Sequence, residues 1–199
     1  MDYRQHSGNI GEYIPAFFQM NLKVSDILDL NTCQEKDFAL FFHEYIHFLQ
    51  DLTTSYGLTQ CYYYGEYIQT AVNDIYKLPK GDFAVPIRYY NSDHYVAIDE
   101  VLTNLTYGDW REDVDKLQNV KVSLEPFDNL PFEHEKIKSI NTIAVEADGD
   151  VLLSFGAYAI KENIAYIMER KLTKDFEPSK DYPYCSAERI VNAIYPEFG

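Results

Sequence analysis

The sequence predicts an α+β domain in which two or three core helices pack with a small mixed or antiparallel sheet. Three observations predict it. The stretch from Asp37 to Tyr56 contains neither proline nor glycine and reads as one long helix. The tetrapeptide Ala147-Asp148-Gly149-Asp150 separates two β-rich runs, which is a hairpin signature. The run from Ala157 to Leu172 is again helical in pattern. With 199 residues the chain has the length of a single domain, 1–199, able to bury a core without disulfides.

Along the chain, Gly8, Gly11 and Pro15 punctuate an irregular start, with a short strand near residues 14–24. Thr32-Cys33-Gln34-Glu35 has the form of a capping box and opens the first helix. Gly57 stands where a C-cap would end it, which makes a helix of about 23 residues, roughly 35 Å long. A second helix runs from about Thr59 to Leu78 and stops at Pro79-Lys80-Gly81. Pro86, the turn Asn91-Ser92-Asp93, Gly108, Pro126 and Pro131 divide residues 82–139 into short pieces, among which Val120 to Leu124 alternates like a strand. Asn141 to Glu146 and Val151 to Phe155 are the two arms of the predicted hairpin. The helix from Ala157 follows. A charged stretch, Lys174 to Asp181, then leads to a last short helix near Ser186 to Ile194.

Composition narrows the function classes. Lys and Arg number 17 against 32 Asp and Glu, a formal net charge of −15. Such a polyanion is a poor partner for phosphate backbones or anionic lipid surfaces, so neither nucleic acid nor membrane is expected. Cys33, Cys61 and Cys185 are odd in number and form no CxxC pair, which fits a reducing compartment. The start Met-Asp-Tyr-Arg-Gln-His lacks the basic and apolar runs of a signal peptide, and a soluble cytoplasmic protein is expected.

The chemistry concentrates in Phe41-Phe42-His43-Glu44-Tyr45-Ile46-His47-Phe48-Leu49, an H-E-x-x-H on the first predicted helix. Residues four apart share a helix face, so His43 and His47 can bind one Zn²⁺ through their imidazoles. Glu44, one residue after His43, can reach a metal-bound water and serve as general base. The surrounding positions are mostly apolar, and burying such a trio without partners would be costly.

This segment resembles the zincin superfamily of metallopeptidases. The resemblance covers the short stretch around His43 to Gln50 and implies a Zn²⁺-dependent peptidase acting on a peptide or protein substrate, with Glu44 as the catalytic carboxylate. The metzincin pattern is excluded because Thr53 stands where its third histidine would be. The gluzincin pattern, with a glutamate on a later helix, leaves two candidates for the third ligand. Glu162 lies in Glu162-Asn163-Ile164-Ala165, which looks like the E-x-x-A-x-x-x-E helix of many gluzincins, although Asn163 stands where glycine is common. This choice would make residues 79–156 an insertion or substrate-facing subdomain. Glu66 is the alternative. An antiparallel helix pair turning at Gly57 would return it to the level of His47, but Thr70 occupies the place of the acid in E-x-x-x-D. Asp51 and Glu169 are candidates for accepting an imidazole N–H behind the metal. His94 and His134 sit in polar surroundings and are expected on the surface. Tyr62, Tyr63, Tyr64 and Tyr158 are candidate phenols for stabilising an oxyanion. Two other readings stay open: a metal-binding regulatory protein without peptidase activity, and a helical interaction protein in which the motif is coincidence.

Overall fold

The computed structural model describes residues 11–24, 28–77, 102–109, 114–128, 130, 138–149, 151–172 and 180–198. His94, His134, the Pro79-Lys80-Gly81 stop, the turn at residues 91–93 and most of the charged stretch after Lys174 lie outside the described residues. The architecture is α+β, with antiparallel strands throughout the described sheets. No helix among the described residues is long and apolar enough to cross a membrane.

Residues 11–22 form a hairpin where the sequence suggested a single short strand. β1 (Gly11–Ile14) pairs with β2 (Gln19–Leu22) through a 3-10 turn at Pro15–Phe17. The reversal needs a left-handed residue, and Phe18 supplies it with φ +48°. No glycine marks that position, which is why the hairpin is hard to read in the sequence.

The first helix, α1 (Glu35–Thr53), begins later than the predicted capping box. The Thr32 hydroxyl donates instead to the Asp29 carboxylate, and the backbone N–H of Asn31 and a side-chain N–H of Asn31 also donate to Asp29. Asp29 thereby organises a turn ahead of the helix, and Gln34 takes the cap position without a side-chain bond.

The single long helix expected to end at Gly57 is two helices. Thr54 is extended, with φ −103° and ψ 148°, and α2 (Ser55–Lys77) starts directly after it. Its hydroxyl donates to the Gln50 carbonyl and accepts from the Gly57 N–H, so one side chain closes α1 and opens α2. Gly57 is not a C-cap. It lies where α2 crosses the end of α1, and an added Cβ would stand 2.3 Å from Asp51 Cα. Glycine is required there for close backbone approach.

A helical turn at residues 102–107 precedes the second sheet. β3 (Lys121–Phe127), β4 (Ile140–Ala147) and β5 (Val151–Phe155) form it in sequence order. The β4–β5 connection carries Asp148 at φ +54° and Gly149 at φ +82°, the positive-φ pair that Asp-Gly favours. Val145 pairs with Leu153, and both point inward with Ala147. These residues share a core with Ala159 of α3 (Ala157–Arg170), Ile190 of α4 (Ser186–Ile194), Leu117 and Tyr182. The sheet is thus the platform against which α3 is held, and α3 in turn packs along α1.

Candidate metal centre

The buried face of α1 is unusual for a core helix. Ala39, His43, Glu44, Ile46, His47, Gln50 and Asp51 are buried together, so five of seven inward side chains are polar or charged. Each needs a partner, because an unsatisfied buried polar group costs a few kcal/mol. For His43, His47, Gln50 and Asp51 the partners come from α3 and from α1 itself.

Glu162 projects from α3 between the two imidazoles. Its Oε2 lies 3.4 Å from His43 Nε2, its Oε1 3.3 Å from His47 Nε2, and the two Nε2 atoms are 3.2 Å apart. Among the described residues, His43, His47 and Glu162 form a group able to hold a metal ion. The donor set also fits a metal on geometric grounds. Ligands bound tetrahedrally at 2.0–2.1 Å sit about 3.3 Å from one another. The separation of the two Nε2 atoms matches one edge of such a tetrahedron, and each Glu162 oxygen lies at a similar distance from one of them.

The far sides of the imidazoles are held as well. His43 Nδ1 lies 2.9 Å from Glu169 Oε2, on the same helix as Glu162. His47 Nδ1 lies 3.0 Å from Gln50 Oε1, one turn along α1. Gln50 Nε2 donates to the Lys161 carbonyl at 3.0 Å, and Lys161 Nζ donates to Asp51 Oδ1 at 2.7 Å. Asp51 therefore meets a lysine and not an imidazole.

Electrostatics follow from these contacts. Burial alone would lower the pKa of His43, but its hydrogen bonds to Glu162 and Glu169 outweigh burial and push it up to about 10. For Glu162 burial works against the charge, yet the His47 imidazole and the hydrogen bonds to both histidines hold the carboxyl well below the usual carboxylate range. At neutral pH His43 is therefore an imidazolium facing the Glu162 carboxylate.

Glu44 is 6% exposed and packs beneath β1. A Cβ built on Gly11 would stand 2.7 Å from Glu44 Oε1, so this glycine is what lets the strand lie across the carboxylate. Edge-on aromatic contacts from Tyr13 and Phe18 to Phe48 dock the hairpin there. Burial raises the Glu44 pKa, while His47 and His43 pull it back.

Of the other predicted residues, Glu66 is exposed on α2 and is not part of the group. Tyr62 is largely exposed, Tyr63 is buried on α2, and Tyr158 packs between Tyr107 and Tyr182. The aromatic ring that faces His43 is Tyr184, with centroids 6.3 Å apart. Its carbonyl accepts from Asn163 Nδ2 at 2.6 Å, and Asn163 Oδ1 accepts the Glu188 N–H at the start of α4. Asn163 thus ties α4 and the Tyr184 segment to the helix bearing Glu162, which explains a buried asparagine where the resembling pattern has glycine. Sequence reasoning missed Gln50, Lys161 and Tyr184. The H-x-x-Q spacing, which puts Gln50 on the His47 face, was the available signal for the first. Nothing local marks Tyr184. No family model, curated protein or solved structure matches this chain, and the centre stands on its own geometry.

Proposed function

We propose that the chain is a Zn²⁺-dependent hydrolase cleaving peptide bonds, built as a single metallohydrolase domain of gluzincin type. His43, His47 and Glu162 would hold the ion. The observation that carries the reading is the convergence of two imidazole Nε2 atoms and the Glu162 carboxylate at 3.2–3.4 Å, beside a buried carboxylate on the residue after His43. Zn²⁺ at such a site lowers the pKa of water to about 7 and polarises a carbonyl. Glu44 accepts the proton of the attacking water and passes it to the leaving amine. Its raised pKa makes it a stronger base than an ordinary surface glutamate. Glu169 and Gln50 orient the imidazoles. The core shared between β4, β5, α3 and α4 supports one domain.

A second reading is a metal-binding regulatory protein without peptidase activity. It is favoured by the low exposure of the ligand side chains, 11% for His43, 8% for His47 and 17% for Glu162. Elemental analysis of untagged protein together with a peptide-library digest tests both. The hydrolase reading expects about one zinc per chain, cleavage by wild type, and a Glu44→Gln variant that keeps zinc and loses cleavage. Zinc without cleavage under any peptide pool leaves the regulatory reading. No zinc uptake removes both.

A further inference from the structure

Gln50 is 7% exposed, and both ends of its amide are used. The Lys161 carbonyl can only accept, so the amide nitrogen must face it, at 3.0 Å. The amide oxygen is then turned toward His47 Nδ1, also at 3.0 Å. An amide oxygen can only accept, so Nδ1 must carry the proton. With Nδ1 committed to Gln50, Nε2, which sits 3.3 Å from Glu162 Oε1, is the nitrogen left to give up its proton and bind a metal.

We propose that Gln50 is a positioning residue through which the α3 backbone at Lys161 holds the proton on Nδ1 of His47, so that docking of the Glu162-bearing helix itself reserves Nε2 for a metal. This rests on the reading of His43, His47 and Glu162 as a metal site. It makes the two ligand helices interdependent. The residue preceding Glu162 dictates, through one side chain, which nitrogen of His47 keeps its proton when a metal binds. Lys161 Nζ, bonded to Asp51 beside Gln50, holds the same pair of turns in register.

The test compares wild type, Gln50→Leu and Gln50→Glu. Long-range ¹H–¹⁵N NMR reads whether His47 Nδ1 carries a proton in metal-free protein, and competition with a chromophoric chelator reads Zn²⁺ affinity. Wild type should show the Nδ1–H form. Gln50→Leu should lose the tautomer preference and about 10–100-fold in Zn²⁺ affinity, the range for residues behind a metal ligand. Gln50→Glu, which keeps an acceptor at Nδ1, should restore the Nδ1–H form. A folded Gln50→Leu variant that binds zinc as wild type does, with the tautomer unchanged, overturns the role of Gln50 alone. Wild type that takes up no zinc overturns the metal site instead, so the two failures are separable.

Discussion

Glu169 accepts a 2.9 Å hydrogen bond at the back of the His43 imidazole, while Glu162, two turns earlier on the same helix, meets its front. One helix therefore grips a histidine of another on both sides. The grip orients the ring, and it makes α3 contribute to the centre twice.

Removing the front contact should matter most. Glu162→Ala should lower Zn²⁺ affinity beyond the ~10–100-fold typical of residues behind a ligand. Glu66→Ala, at an exposed position on α2, should leave affinity within about twofold. Chelator competition on the two variants checks this. A larger loss in Glu66→Ala than in Glu162→Ala would reassign the third ligand.

Removing the back contact should be milder. Glu169→Gln keeps a hydrogen-bond acceptor but drops the charge beside His43. We expect a loss of about tenfold in Zn²⁺ affinity and a lower pKa for His43, read by NMR titration of the metal-free protein.

The raised His43 pKa has a thermodynamic signature. In metal-free protein its contribution to stability is fully present below about 6.5 and is lost as pH rises through about 10. The depressed Glu162 contributes in the opposite sense. Its share is present above the ordinary carboxylate value and is lost as pH falls through the lowered one. Urea midpoints of metal-free protein should therefore fall between neutral and alkaline pH, and zinc loading should flatten that slope. Zinc binding at pH 7 should also expel about one proton. Calorimetry in buffers of differing ionisation enthalpy measures it, and zero release would contradict the His43 assignment.

Lys161 and Asp51 form a buried ion pair, with side-chain exposures of 18% and 1%. The other polar side chain beside Asp51 is the neutral Tyr13 phenol, so losing Lys161 would leave the buried carboxylate without its countercharge. Lys161→Met should cost about 3–5 kcal/mol in chemical denaturation. The double variant with Asp51→Leu should recover most of that loss. If the single variant is as stable as wild type, the pair does not hold the helices.

The legible parts of this chain were those with local causes. Asp148-Gly149 marks its turn because few other residues accept two successive positive φ values. The last helix occupies Ser186–Ile194, as its pattern predicts. The spacing of His43 and His47 is a property of one helix. What escaped was decided between elements. The break at Thr54 comes from a hydroxyl that serves two helices at once, and Gly57, read as a stop, is a crossing point. Gln50 acquires its role only when α3 brings a carbonyl to it. Tyr184 reaches His43 because Asn163, far from both in sequence, anchors its segment.

The donors are divided unequally along the chain. His43 and Glu162 stand 119 positions apart. During synthesis at roughly 5–20 residues per second, the two histidines emerge on the order of ten seconds before the carboxylate that completes the set. A nascent or truncated chain that ends short of α3 carries the whole H-E-x-x-H and still lacks a third donor. Whatever the assembled centre does, it is withheld until the chain through α3 has left the ribosome. An ion captured there also acts as a late cross-link closing a very long loop.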